Sequence, residues 1–166
     1  MEIPELLHYS LQYLDACPAS LTACAVVHRS WTFTAQSHLF RHVFLAIYWG
    51  DPDLDLDRRC SLLLTALSAS PHLARFVCSL EITPERLSSE VLEALLNIPL
   101  AMLHTLYLAY AWPQNYTVPA MERLVSIPTL QHVQIHYQHA ESPNTFQRLN
   151  RNLSPKITKM EVFRPP

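Results

Sequence analysis

Hydrophobic residues in the first 44 positions recur at helical spacing in three short segments. Pro4 and Pro18 suit the first turn of a helix, where the missing N–H is not needed, and Ser30 is predicted to cap the third helix. Three such helices must pack on one another, and a unit this small leaves apolar surface for a partner or for the rest of the chain. The predicted apolar stripes are Leu6, Leu7, Leu11 and Leu14; Leu21, Cys24, Ala25 and Val27 or His28; and Trp31, Ala35, Leu39 and Phe40.

The segment after these helices changes from helical to extended character. Val43 to Trp49 is rich in β-branched and aromatic residues, which predicts a strand. Four alternating aspartates follow, but they lack the glycine and the glutamate that a calcium-binding loop needs at its sixth and twelfth positions. We predict a solvated loop whose last aspartate, Asp57, caps the next helix. That helix carries Cys60, Leu63, Leu64 and Leu67 at spacing i, i+3, i+4, i+7.

The remainder of the chain repeats an apolar–x–apolar triplet. The triplets begin at Leu80, Leu106, Val133 and Met160, so they are separated by 26, 27 and 27 positions. A helical stretch that ends near a proline precedes each one, and proline stops a helix so that the chain can turn into a strand. These stretches are Leu63 to Pro71, Val91 to Pro99, Met121 to Pro128 and Phe146 to Pro155. Residues 45–166 are therefore predicted to form an α/β arc of about four units around a parallel sheet.

The alternation along each predicted strand assigns its side chains to two faces. The outer residues of a triplet point into the core and the middle residue points onto an open face of the sheet. The middle row would be Glu81, Tyr107, Gln134 and Glu161. A second rank on the same face would be Ser79 and Thr83, Thr105 and Ala109, His132 and His136, and Lys159 and Phe163. Two interpretations stay open, a partner-binding surface of the kind that repeat proteins use and a merely solvated face.

Composition narrows the function classes. Hydrophobic residues make up 49% of the chain and charged residues 16%, which predicts a large buried fraction. A net charge of −2 gives no electrostatic footprint for nucleic acid. No apolar run reaches the ~18 residues of a membrane span, and the acidic start lacks the basic region of a signal peptide. We therefore expect an intracellular protein, cytoplasmic and/or nuclear, that binds neither nucleic acid nor membrane.

The candidate chemistry is sparse. Four cysteines form no C-x-x-C pair and are predicted to be small buried hydrophobes in a reducing compartment. His132 and His136 have metal-like spacing for a helix, but on a strand they would lie ~13 Å apart. With Gly50 as the one glycine, a phosphate-binding glycine-rich loop is difficult to build, and no serine nucleophile motif is present. We expect no catalytic residue, metal or cofactor, and hence no enzyme.

Three motifs in the first quarter of the chain carry a family resemblance. They are Pro4-Glu-Leu-Leu7, Cys24-Ala-Val-Val-x-Arg-x-Trp31 and Leu39-Phe-Arg-x-Val43. In this order and spacing they resemble the F-box, most closely the F-box-like domain abundant in mushroom-forming fungi. The resemblance implies a three-helix domain over residues 1–44 that docks on the Skp-family adaptor of a cullin–RING ubiquitin ligase. It assigns docking to Pro4, Leu6, Leu7, Leu11, Leu14, Leu21, Cys24, Val27 and Trp31, with Val27 and Trp31 also candidates for packing within the domain.

This resemblance leads to an expectation about exposure. A docking residue lies open until the adaptor covers it, so we expect Leu7 and Leu11 to be exposed in the isolated chain. Tyr9 and Ser10 stand where the first helix of relatives usually runs aliphatic, which makes this helix more polar than theirs.

The repeating unit carries a second resemblance. Its 26–27 residues fall within the 20–29 of leucine-rich repeats, although the asparagine that usually follows the strand is missing. The unit resembles a degenerate leucine-rich repeat, which commonly follows an F-box. The resemblance implies that the arc presents an unknown protein substrate for ubiquitination on Glu81, Tyr107, Gln134, Glu161, His132 and His136. The alternative hypothesis is a repeat-type interaction or structural protein with no link to a ligase.

The end of the arc leaves a separate question open. The last predicted strand, at Met160 to Val162, lies close to the end of the given sequence, and a terminal repeat needs a polar cap. A shortened family member, a fragment, and an edge that a partner covers are three alternatives.

Overall fold

The computed structural model describes residues 4–46, 55–109, 117–136 and 153–163. The helices within these ranges are α1 (Pro4–Gln12), α2 (Pro18–Val27), α3 (Arg29–Leu39), α4 (Leu56–Ala69), α5 (Ser89–Leu96) and α6 (Thr117–Val125). The strands are β1 (His42–Leu45), β2 (Ser79–Ile82), β3 (Thr105–Leu108), β4 (His132–His136) and β5 (Lys159–Phe163). Short 3₁₀ helices cover Pro71–Phe76 and Pro84–Arg86. The fold is thus mixed α/β with a parallel sheet, as the sequence predicts.

The five described strands form one sheet in the order in which they occur along the chain. Each strand pairs in parallel with the next, and equivalent residues face one another without stagger. One row across the sheet comprises Val43, Leu80, Leu106, Val133 and Met160. The predicted triplets therefore align as neighbours, and β1 adds a strand that the prediction had left outside the row.

Backbone hydrogen bonds repeat at the entrance to each strand. The carbonyl oxygen of Cys78 accepts from the amides of His104 and Thr105 at 2.9 and 3.1 Å. The carbonyls of Arg41, His104 and Gln131 each accept in the same way from two consecutive amides that enter the next strand. The units therefore share one local geometry although their side chains differ.

The main core lies between the sheet and α4, α5 and α6. The outer residues of the triplets on β2, β3 and β4 are almost completely buried, as predicted. Helix residues such as Cys60, Leu92 and Met121 belong to the same cluster. Burying such a side chain stabilises a fold by about 1.5–3 kcal/mol, so this alternation fixes which face of the sheet the helices cover. The triplet residues in the core are Leu80, Ile82, Leu106, Leu108, Val133 and Ile135.

The first three helices, which we call the helical module (residues 4–39), have a small core of their own. Leu11, Leu21 and Ala35 are buried at its centre. A ring of partly buried residues surrounds them, and α1 and α2 both pack on α3. Each helix thus covers part of the apolar stripe of another, as the sequence predicts.

A third apolar cluster joins the helical module to the sheet. Leu67, Leu73 and Ala74 are buried there, and Phe40 at the end of α3 packs against them. Strand β1 begins at His42, three residues after α3 ends, and it spans the predicted domain junction at residue 44. The junction between the two parts is therefore built from packed side chains as well as a short connection.

Two predicted helix caps are wrong. The N-cap of α3 is His28, whose Nδ1 accepts from the amide of Ser30 at 3.2 Å, so Ser30 lies inside the helix. The N-cap of α4 is Asp55, which accepts from the amide of Arg58 at 2.9 Å. Asp57 instead accepts from the amide of Ser88 at 2.8 Å and so ties α4 to the start of α5. The tertiary contact with Ser88 accounts for the position of Asp57, which residue type alone does not distinguish from Asp55 as a cap.

Other predicted elements are shorter in the structure or fall partly outside the described residues. The strand expected over Val43 to Trp49 runs from His42 to Leu45, and residues 47–49 lie outside the described residues. Most of the helical stretch expected before Pro155 also lies outside them. Thr83 and Ala109, expected on the open face, are buried; each is the first residue after the end of its strand, β2 or β3.

Candidate interaction surfaces

The predicted docking residues divide into buried and exposed sets. Leu11 and Leu21 are 2% and 1% exposed and form the centre of the helical module. Leu7, Leu14 and Cys24 are partly buried around them. The expectation that Leu11 is open in the isolated chain is therefore wrong, because this position faces Leu21 and Ala35 within the module. The side chain of Pro4 lies outside the described residues.

The exposed set gives the helical module an apolar outer surface. Leu6 is 59% exposed, and Tyr9 and Tyr13 follow it at helical spacing along α1 and the turn beyond it. Val27 at the end of α2 is 70% exposed, so it contributes little to packing within the module. Apolar side chains that remain exposed around a closed core are typical of an interaction site. Other large exposed apolar residues of the module are Val26, Trp31 and Phe33.

A chain of hydrogen bonds centred on the buried His38 crosses the helical module, and the sequence does not predict it. The Nδ1 atom of His38 lies 2.6 Å from a carboxylate oxygen of Asp15, and its Nε2 atom lies 3.1 Å from Nδ1 of His8. The side chain of His38 is 1% exposed, so both ring nitrogens obtain their hydrogen bonds inside the protein. The chain ties α3 to α1 and to the turn after it. Its sequence signal is weak, because the partners lie 23 and 30 positions away.

The open face, which we define as the sheet face opposite α4, α5 and α6, carries the predicted middle row. Glu81, Tyr107, Gln134 and Glu161 stand side by side on adjacent strands and are each partly exposed. Phe44 on β1 extends the row and is 42% exposed. The prediction of the row is confirmed for its four residues, and its aromatic end was missed. His132 and His136 are exposed at the two ends of β4.

Polar contacts join the residues at the β4–β5 end of the row. The amide of Gln134 donates to Glu161 at 2.7 Å, and the ammonium of Lys159 lies 2.7 Å from the other carboxylate oxygen. The hydrogen bond from Lys159 lowers the pKa of Glu161, and the same bond raises the pKa of Lys159. This end of the open face therefore already has internal partners for its carboxylate.

The β1–β3 end of the row has a different character. A depression of about 320 Å³ lies over these strands. Phe44 and Tyr107 stand on either side of Glu81 across it. We call this the aromatic–acid pocket; its lining residues are His42, Val43, Phe44, Ser79, Glu81, Thr105 and Tyr107. Its chemistry combines two aromatic rings with one carboxylate.

The four cysteines lie in different environments. All four are free thiols, and burial is the main reason that the pKa of Cys60 rises to about 11. Cys17 is exposed, contrary to the prediction, and its hydrogen bond with Ser20 lowers its pKa. Within the described ranges, no group of three or more His, Cys, Asp or Glu side chains could hold a metal ion.

Among the helices of the described ranges, none combines the length and apolar character needed to cross a bilayer. No family model, curated protein or solved structure matches this chain.

Proposed function

We propose that this protein is a substrate-recognition adaptor of a Skp/cullin/F-box-type ubiquitin ligase. The helical module docks on the Skp-family adaptor as an F-box-like domain, and the sheet with its helices serves as a degenerate leucine-rich-repeat-like arc that binds the substrate. The protein itself carries out no catalysis in this proposal. The alternative is a repeat-type interaction protein with no link to a ligase.

Docking on the adaptor is supported by the contrast between the closed core of the helical module and its exposed apolar side chains. Leu11 and Leu21 already satisfy its core, yet Leu6 and Val27 remain largely exposed. If a partner covered these side chains, their burial would stabilise the complex by about 1.5–3 kcal/mol for each one fully buried. The motifs that resemble the F-box lie in this same module.

The docking test therefore uses exposed residues and leaves Leu11 intact. We expect Leu6→Asp to weaken binding of a purified Skp-family adaptor by about tenfold to 150-fold, which corresponds to the loss of one buried aliphatic contact. Leu62→Asp on α4 is the matched control, because Leu62 is exposed to a similar degree and lies outside the module. Isothermal titration calorimetry of both variants measures the effect. Equal adaptor affinity in the two variants would reject docking through α1.

Substrate binding is supported by the partly exposed middle row on the open face. Changing Tyr107 and Gln134 together to Ala should remove substrate capture and spare adaptor binding, since neither residue lies on the helical module. Paired pull-downs with adaptor and with substrate separate the two effects. Loss of both partners, or of neither, would mean that the open face is only solvated surface. Substrate capture by a chain that never binds the adaptor would favour the alternative function.

A further inference from the structure

We infer that His8 and His38 form a pH switch in the helical module: their contact persists when the pair takes up one proton and breaks when it takes up a second, which loosens α1 from α3. We call this pair the histidine switch. It adds a regulatory device to the module and does not depend on what the module binds. The proposed function enters only through the consequence for docking.

The direction of each hydrogen bond in the neutral pair follows from what the groups can donate. An ionised carboxylate only accepts, so Nδ1 of His38 carries the proton of the 2.6 Å bond with Asp15. Nε2 of a neutral His38 ring is then an acceptor. Nδ1 of His8, 3.1 Å from that atom, therefore donates. One proton thus lies between the two facing nitrogens, Nδ1 of His8 and Nε2 of His38.

The histidine switch accommodates one added proton by reversing the bond between the rings. The Nδ1 proton of His8 crosses to Nε2 of His38, and the added proton binds Nε2 of His8, which is an exposed residue. His38 becomes an imidazolium, and the carboxylate of Asp15 at 2.6 Å balances its charge. One proton still lies between the facing nitrogens, so the contact survives.

A second added proton breaks the contact. Both rings are then imidazolium ions, which have a proton on every nitrogen and no acceptor. Two N–H groups face each other across 3.1 Å, and two positive rings lie with their centroids 4.6 Å apart. The side chain of His38 is 1% exposed, so solvent cannot supply the missing acceptor until His8 moves away.

Among the described residues around the pair, one carboxylate is in hydrogen-bond contact with it, that of Asp15. Glu5 is exposed one turn before His8 on α1, where water screens its charge. Helix α2 has no charged residue, and Arg75 and His72 of the 3₁₀ helix contact other side chains of α3. Further titratable or charged residues on α1, α2, α3 and the turns that follow α1 and α3 are Tyr9, Tyr13, Cys17, Cys24, Arg29 and Arg41, and none is a carboxylate.

Acid favours the open form of the switch, because only that form accepts the second proton. Histidine gains its charge between about pH 8 and about pH 5. Leu11 still anchors α1 in the core, so we expect α1 to loosen while the module stays folded. Because α1 carries Leu6, docking on the adaptor would weaken in acid as well, and this consequence alone rests on the proposed function.

The test compares the full chain at about pH 7.5 and about pH 5, near the two ends of the range in which histidine changes charge. Nitrogen-15 NMR of the histidine rings reports which ring nitrogens carry protons. Hydrogen exchange reports the protection of the α1 amides relative to an unstructured chain at the same pH. We expect one facing nitrogen to be unprotonated in the less acidic sample and both to be protonated in the more acidic one. Protection of α1 should fall about fivefold, as for the loss of one hydrogen bond, while β2 and β3 keep theirs.

Two matched variants assign the effect to the pair. His8→Asn places an amide where Nδ1 of His8 lies, and an amide can bond with Nε2 of His38 whether or not that atom is protonated. This variant should keep the protection of α1 at both pH values. His42→Asn replaces an exposed histidine outside the pair and should lose protection in acid as the wild type does. Circular dichroism confirms that each variant is folded.

The inference fails if α1 of the wild type is equally protected at the two pH values, if it stays protected with both facing nitrogens protonated, or if β2 and β3 lose protection equally. It also fails if His8→Asn and His42→Asn behave alike. The measurements on the wild type decide the question even if His8→Asn does not fold. None of them needs a binding partner. A failed Leu6→Asp docking test would leave the histidine switch standing, and a failed pH test would leave docking on the adaptor standing.

Discussion

At the scale of single residues, neighbouring positions on one strand contribute very differently to the stability of the fold. Leu106 is completely buried in the core, whereas Tyr107 lies partly exposed on the open face. We expect Leu106→Ala to lower the free energy of unfolding by about 2–5 kcal/mol, because it leaves a cavity. Tyr107→Ala should cost much less, because solvent replaces its outer contacts. Urea unfolding of both variants measures the difference, and equal losses would show that the two faces are assigned wrongly.

His38 provides a second residue-scale prediction. Its ring is buried and bridges Asp15 and His8, so His38→Ala removes two hydrogen bonds and leaves a small cavity. The expected loss of unfolding free energy is about 2–3 kcal/mol. His42 is exposed on β1, and its replacement by Ala should change stability by less than about 0.5 kcal/mol. Thermal unfolding of the two variants side by side gives the comparison.

These residues also mark the limit of what the sequence predicts. The burial of Leu106 follows from the two-residue period of a strand, which is a local signal. Leu6 and Leu11 are both leucines on a predicted helix, and only the packing of α2 and α3 decides that Leu11 is inside. The buried position of His38 depends on partners on other elements, so no local pattern shows it.

At the scale of elements, an ion pair links Lys159 and Glu161, which are two positions apart on β5. The folded-state pKa of Glu161 is lowered from its ordinary 4.5, mainly by the hydrogen bond with Lys159. The ionised carboxylate therefore stabilises the fold above pH 4.5, and this contribution is lost as the pH falls through the folded-state pKa.

We expect Lys159→Met to raise the pKa of Glu161, measured by carbon-13 NMR titration of its carboxyl group. The difference in unfolding free energy between wild type and this variant should stay constant near neutral pH and shrink below pH 4.5. Lys156→Met, in the turn before β5, is the control and should leave the Glu161 titration unchanged. A titration shifted equally by both variants would contradict a specific pair.

The elements themselves were largely predictable, and their exact ends were not. Prolines stop helices for steric reasons, so Pro99 and Pro128 correctly mark the turns after α5 and α6. Asp55 and Asp57 are equally good caps by residue type. Their roles separate only because Asp57 reaches the amide of Ser88 across the fold.

At the scale of the whole molecule, an aromatic contact couples the helical module to the sheet. The rings of Phe33 on α3 and Phe76 meet edge to face with centroids 4.9 Å apart. The guanidinium of Arg75 lies 5.5 Å from both centroids. His72 and Gln36 add a polar contact of 3.3 Å across the same junction. Because these contacts join distant parts of the chain, they favour unfolding of module and sheet together.

A double-mutant cycle measures this coupling. Phe33→Ala and Phe76→Ala, alone and combined, should show an interaction energy of about 0.5–1.5 kcal/mol in urea unfolding. The same cycle with Val26→Ala in place of Phe33→Ala should be additive, since Val26 is 80% exposed on α2. Additivity of the two phenylalanine changes would show that the aromatic contact does not hold the junction.

The unstaggered rows of the sheet place equivalent residues of the open face at a regular spacing of about 4.8 Å. Side chains on one side of an extended peptide recur about every 6.7 Å. For a peptide that crosses the strands, its side-chain spacing therefore differs from the strand spacing. The two spacings next coincide after three strands, near 14 Å. Glu81 on β2 and Glu161 on β5 are separated by that interval. Such a peptide would contact both glutamates through side chains four positions apart in its own sequence. The spacing of its side chains, as well as its composition, would therefore determine whether it fits.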